Sequence, residues 1–203
     1  MSVKKIDEDE RKETLDKIKL LKEKTGLDMD KIARLVIDSW DNIFTITDKH
    51  NNFIIGETVF PKPQIMGFIL EVLIAKKFEE FDPNEWQFDP TGYSKDITNK
   101  KDESLSIEIK TSSSENKIYG NRSYANPGAT SKKSKNSFYL AVNFEKFSQE
   151  NHNPKITKVR FGYLTHKDWR GQKAASGQQA SLPTITERSK LIELWPNKDL
   201  KIK

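Results

Sequence analysis

Residues 96–113 read DITNKKDESLSIEIKTSS, in which two short extended runs flank the polar turn Asn99–Glu103 and the second run alternates Leu105, Ile107 and Ile109 with Ser106, Glu108 and Lys110. Strict alternation is the mark of a half-buried strand, and a polar turn between two such runs predicts a β-hairpin. In that strand Ile107 and Ile109 point into a core while Glu108 and Lys110 share the opposite face. The hairpin returns Asp96 to their side.

Working outward, residues 61–80 (PKPQIMGFILEVLIAKKFEE) predict a strongly apolar helix entered through two prolines, with Ile65, Ile69, Val72 and Phe78 as its buried face. Before it, FTITDKHNNFIIGE reads as two short β runs around a polar turn. Residues 8–24 carry Leu15, Ile18 and Leu21 at helical spacing among many charges and stop at Gly26. A second helix starts with Asp28 or Asp30 as N-cap, presents Ile32, Leu35, Val36 and Trp40, and ends near Asp41. Downstream, FYLAVNFEK, ITKVRFGYLT and LIELW read as strands. Between the first of these and the hairpin lies SSSENKIYGNRSYANPGATSKKSKNS, too long and polar for a plain connection, so it reads as a functional loop. GQKAASGQQASLPT is a further polar segment.

The chain has 203 residues and no cysteine, which suits one core and excludes disulfides and thiolate metal sites. The longest apolar run, Ile65 to Ala75, is short and holds Glu71, so neither a membrane span nor a signal peptide is read, and the expected location is cytoplasmic. Charge is uneven. Residues 1–115 hold 18 basic and 24 acidic side chains, a balance of −6, and residues 116–203 hold 17 and 6, a balance of +11. From Asn116 to Phe144 there is no acid, while Lys117, Arg122, Lys132, Lys133 and Lys135 are present. That is a footprint for a polyanion, with a solvated basic loop as the alternative reading.

Phosphodiester hydrolysis needs carboxylates that hold Mg²⁺ on the scissile phosphate and a group that orients the attacking water. Asp96 and Glu108 supply the carboxylates, and the Lys110 ammonium supplies a cation for the water and the developing phosphate charge. The spacing alone is weak in so charged a chain. Its placement after an apolar helix, on a strand of the right period and before a basic segment, gives it weight. Other nuclease chemistries fit poorly. His50, His152 and His166 are far apart in sequence, His166-Lys167-Asp168 lacks the gaps of a phospholipase D motif, and no glycine-rich phosphate loop is present.

The order of helix, GYSKDI, hairpin and SIEIKTSS resembles the PD-(D/E)XK nuclease core. The segments IYGNRSYANPGATSKKSKNSFYLAVNFEKF and RFGYLTHKDWRGQKAASGQQASL resemble the ScaI-type restriction endonuclease family. Over roughly residues 57–182 the resemblance implies an α/β fold, a restriction-endonuclease-like core with a central mixed β-sheet flanked by helices and an N-terminal helical segment. It divides the chain into a helical segment over 1–50, packed on or part of the single domain, and a nuclease core over 51–203 with DNA-recognition loops near 113–136 and 168–184. It also implies that Asp96, Glu108 and the Ile109 carbonyl bind Mg²⁺, that Lys110 assists the water, and that an acid on the preceding helix joins them. By position that acid is Glu71, with Glu57 as the substitute. Lys95 stands where the superfamily's name has proline.

Base edges in the major groove are best read by Arg on guanine and by Gln or Asn on adenine. Asn121, Arg122, Gln172, Gln178 and Gln179 are the candidates, each with a solvated polar turn as its alternative, and Lys132, Lys133 and Lys135 are candidates for phosphate contacts. The resulting expectation is a type II restriction endonuclease that cuts double-stranded DNA at a short palindromic site. One catalytic set per chain implies a homodimer, and the resemblance implies a DNA methyltransferase in the same system rather than as a stable partner. The rivals are a repair or junction-resolving nuclease without sequence readout and a DNA-binding protein that does not cut.

Overall fold

The computed structural model describes residues 6–125, 134–174 and 176–196. Helix α1 (Glu8–Thr25) starts where the Asp7 carboxylate accepts the Glu10 N–H, and ends at Gly26, whose φ of 69° suits a residue without Cβ and whose N–H reaches the Lys22 carbonyl. Its buried face is Thr14, Ile18 and Leu21, while Leu15 turns to solvent, one step round from the expected stripe. Helix α2 (Met29–Ile43) is capped by Asp28 and buries Ile32, Ala33, Val36, Ser39, Trp40 and Ile43. The Trp40 indole N–H donates to the Pro154 carbonyl at 3.0 Å.

The two β runs expected over 44–57 reduce to isolated bridges, Thr47 to Ile54 and Ile55 to Val59. The Asp48 carboxylate takes the N–H groups of Asn52 and Phe53, and the Thr58 hydroxyl takes that of Ile54, so those donors cannot build a ladder. Helix α3 (Pro63–Phe81) forms as read, with Pro63 in its first turn. Its buried face is Met66, Gly67, Leu70, Ile74, Ala75 and Phe78. Of the predicted face only Phe78 is fully buried, and Ile65 is 53% exposed. In so apolar a helix the pattern alone cannot fix the rotation, because almost any stripe qualifies.

Six strands form the central sheet in the order β1 (Trp86–Phe88), β2 (Ile97–Asn99), β3 (Ile107–Ser112), β5 (Ser137–Phe144), β6 (Ile156–Leu164) and β9 (Leu191–Trp195). β3 and β5 run parallel and every other neighbouring pair is antiparallel. Leu105 lies in a 3₁₀ turn just before β3 rather than in the strand. A second sheet orders β4 (Tyr119–Asn121), β8 (Gln179–Ser181) and β7 (Arg170–Gly171), built from the two polar segments, and helix α4 (Thr184–Lys190) leads into β9.

The two faces of the central sheet carry separate cores. One combines Ile107, Ile109, Phe138, Leu140, Val142 and Phe161 with the buried faces of α1, α2 and α3. The other packs Tyr139, Ala141 and Leu191 against Ile118, Tyr124, Trp169, Ala180 and Leu182. Strand β5 is therefore buried at all eight positions, which explains its near-continuous apolar run. Register places Glu108 beside Tyr139 and Gly162, and Lys110 beside Ala141 and Arg160, so all of these belong to the second face.

Candidate active site

The hairpin read from sequence is present but pairs at one position, Ile97 with Ile107. Its turn is held by Asn99, whose side-chain carbonyl accepts the N–H groups of Lys101 and Asp102 and whose amide donates to buried Glu85 at 2.6 Å. Beyond Ile107 the strands part, and β3 presents its next outward main-chain groups, those of Ile109, to side chains. The Ile109 N–H donates to Asp96 Oδ2 at 2.6 Å, and the Ile109 carbonyl accepts from Lys110 Nζ at 2.8 Å. Half-buried Asp96 is thus fixed against the strand that carries Glu108.

Alternation holds for Glu108 and Lys110, which meet at 2.7 Å on the face away from Ile107 and Ile109. This is not a solvated edge. Glu108 is 2% exposed. Its Oε1 also accepts the Tyr124 hydroxyl at 2.5 Å, and its Oε2 lies 3.7 Å from the ammonium of buried Lys95. Burial alone would depress Lys110, yet the negative charges of Glu108 and Asp96 outweigh it and hold the ammonium well above its ordinary range. Tyr124 is held protonated by burial first and by Glu108 next, so it serves as a hydrogen-bond donor. The ammonium groups of Lys110 and Lys135 lie 5.3 and 4.3 Å from the centre of its ring.

Glu71 comes to the same place from α3. Its Oε1 accepts the Thr111 hydroxyl at 2.9 Å, and burial raises its pKa against the opposing pull of Lys110. Gly67, one turn earlier, permits this approach, since a Cβ there would meet Thr111 Oγ1 at 2.6 Å. Glu57, the substitute candidate, is exposed in the turn before α3. Among the described residues no group of three or more His, Cys, Asp or Glu gathers, so a cation here would rest on two carboxylates and a carbonyl.

The predicted recognition residues come from segments far apart in sequence, and β4 and β8 join them by pairing Asn121 with Gln179. Gln172 bonds Gln179 through both main chain and side chain, and Gln172, Gln178, Gln179 and Asn121 are exposed. Arg122 Nη1 donates to the carbonyls of Ala174 and Gly177, so part of its guanidinium braces the 172–179 turn. A cavity of about 250 Å³ lined by Glu71, Lys110, Tyr124, Asn121 and Gln179 joins the hairpin to this sheet. Lys132 and Lys133 lie outside the described residues. Sequence reasoning missed Tyr124, Thr111 and Lys95. No periodicity marks a tyrosine in a polar loop, and in the sequence Lys95 stands out only as a departure from proline.

Known proteins provide an independent comparison. The family model described as ScaI restriction endonuclease matches residues 9–195. The chain is 40% identical over 168 residues to the type II restriction enzyme ScaI of Streptomyces caespitosus, covering 81% of this chain and 73% of that one. A match across nearly the whole chain, on a mixed sheet whose β3 carries the Glu108 and Lys110 pair, identifies this protein as a member of the ScaI restriction endonuclease family.

Proposed function

We propose that the protein hydrolyses phosphodiester bonds of double-stranded DNA at a short palindromic site, with Mg²⁺ as cofactor and Asp96, Glu108 and Lys110 as the reacting centre. The observation that carries this is the Lys110 ammonium, which bridges Glu108 Oε1 and the Ile109 carbonyl at 2.7 and 2.8 Å. Those two oxygens, with Asp96, form an all-oxygen set that already attracts a cation. It fits Mg²⁺, which commonly takes one or two carboxylates and leaves its other positions to water and phosphate oxygens. When bound, Mg²⁺ supplies charge neutralisation at the scissile phosphate and acidifies water there.

The chain's own groups do the rest. Asp96 and Glu108 would hold the cation together with the Ile109 carbonyl, and the Tyr124 hydroxyl orients Glu108. Lys110 then turns its ammonium to the attacking water and the charge developing on the phosphate. Glu71 completes the acidic wall from α3. Asn121, Arg122, Gln172, Gln178 and Gln179 face base edges, while Lys132, Lys133 and Lys135 contact phosphates. A palindrome read by one such set per chain calls for a homodimer with matching two-fold symmetry, each subunit cutting one strand. The reading also brings a separate cytoplasmic methyltransferase that protects host sites. No helix among the described residues is long and apolar enough to cross a membrane.

Digestion of phage DNA with Mg²⁺, followed by sequencing of the fragment ends, tests this reading. Discrete fragments sharing one symmetric sequence are expected. A smear would favour a nuclease without sequence readout, and intact DNA would favour binding alone.

A further inference from the structure

A second cavity, of about 600 Å³, opens on the sheet face that carries Lys110, two strands away at β6 and walled by α4, β9 and residues 116–117. Two strand spacings put Arg160, which lines it, about 10 Å across the sheet from Lys110. Five cations line it: Arg11, Lys117, Lys158, Arg160 and Arg188. The acids there are Glu187 and Glu193, so cations exceed acids by three.

Arg160 is the unusual member. It is 6% exposed, and among the described residues its Nη2 donates to two neutral acceptors, the Asn116 carbonyl at 3.0 Å and the Asn143 amide oxygen at 2.7 Å. Its nearest carboxylate oxygen, Glu187 Oε1, stands 4.0 Å away, too far for a hydrogen bond and itself buried without a hydrogen-bond partner among the described residues, while Glu187 Oε2 is engaged by Lys117 at 2.9 Å. The Nε–H of Arg160 is buried and meets no hydrogen-bond acceptor among the described residues. Glu193 is taken by Lys158 at 3.7 Å. A buried guanidinium that shares one distant carboxylate with a second cation is undercompensated, and burial accordingly pulls its pKa down.

We propose that this cavity is a phosphate-binding site, with Arg160 as the buried anchor and Lys158 and Arg188 at its mouth. A guanidinium presents a planar fork of donors suited to phosphate oxygens, and the unused Nε–H belongs to that fork. The site is separate from the Asp96–Glu108 centre and stands whether or not that centre cleaves DNA. Its ligand is a phosphate group, either free or in the backbone of a duplex that runs across the small sheet.

The test uses the full chain with inorganic phosphate at constant ionic strength, balanced with chloride, and follows the thermal midpoint. Phosphate is expected to raise the midpoint of wild type. In Lys158→Ala and Arg188→Ala the apparent affinity should fall about tenfold, the equivalent of one charge-assisted hydrogen bond. Arg160→Gln should lose the response. Because that buried change also removes structural hydrogen bonds, the two mouth variants decide the case independently. A duplex titration across salt then separates the sources. A salt slope reduced by about one in the mouth variants assigns the phosphate to DNA, and an unchanged slope assigns it to a free phosphate compound. Equal phosphate responses in wild type and both mouth variants would overturn the site and leave Arg160 a structural tie.

Discussion

Asp96 and Ile109 are joined by a hydrogen bond of 2.6 Å from the Ile109 main-chain N–H to the Asp96 carboxylate, at the point where β2 and β3 stop pairing. A ladder bond has been exchanged for a bond to a side chain. The exchange fixes Asp96 against β3 and leaves the Ile109 carbonyl facing the same side, where it meets Lys110. Full pairing of the hairpin would have used both groups and closed the site.

Tyr124→Phe removes the hydroxyl that bonds Glu108 Oε1 and keeps the ring that lies beside Lys110 and Lys135. Partners of metal-binding carboxylates commonly contribute about 10- to 100-fold to metal affinity or activity. The expected result is a cleavage rate lowered by that order and a higher Mg²⁺ concentration for half-maximal rate, with DNA affinity in Ca²⁺ unchanged. An unaltered Mg²⁺ dependence would remove Tyr124 from the site.

Burial raises the Glu71 pKa above its ordinary 4.5, against the weaker opposing effect of Lys110 and the Thr111 hydroxyl. The fold therefore favours the protonated form. That contribution to stability is complete below about pH 4.5 and is lost as pH rises through the raised value. Without metal, Glu71→Gln should gain on wild type in urea midpoint as pH climbs from about 4 to 7. Saturating Mg²⁺ should shrink the gap. Parallel curves would mean that the carboxyl is not strained by burial.

Gln179 is the cleanest probe of base reading, because it is exposed, pairs with Asn121 across β4 and β8, and lines the cavity with Lys110. Gln178→Ala or Gln179→Ala should cost roughly 1 to 3 kcal/mol on the cognate duplex and little on random DNA. Lys132→Ala or Lys133→Ala should weaken both and lower the salt slope by about one. Arg122→Ala should also loosen the 172–179 turn, since Nη1 braces the Ala174 and Gly177 carbonyls. Equal losses on both duplexes for the glutamine variants would place base recognition elsewhere.

One catalytic set per chain predicts a dimer. Sedimentation at micromolar concentration should give about twice the chain mass of 23.5 kDa. A monomer both free and on DNA would favour nicking or sequential cuts.

Much of this was legible in the sequence because it is local. Alternation marks the faces of Ile107, Glu108, Ile109 and Lys110, Gly26 marks the end of α1, and the choice of Asp28 or Asp30 brackets the start of α2, whereas the Asp7 cap shows only in the fold. What stayed hidden depends on distant contacts. The rotation of α3 is set by packing rather than by its uniformly apolar pattern, which is why Ile65 faces solvent. The small sheet is assembled from polar segments of two or three residues, and β4 finds its partner β8 some sixty positions away, so no periodicity reveals such strands. Tyr124 reaches Glu108 from the 3₁₀ turn that follows β4, and Lys95 reaches it from the position before Asp96, contacts that no local pattern announces.

Asp96, Glu108 and Lys110 are the groups proposed to perform the chemistry. The most direct test is single-turnover cleavage of a cognate duplex in Mg²⁺ by Asp96→Ala, Glu108→Ala and Lys110→Ala, with duplex affinity measured in parallel in Ca²⁺, which occupies oxygen sites with looser geometry. Each variant is expected to bind close to wild type and to fail to cut. Near wild-type cleavage by any one of the three would contradict that assignment.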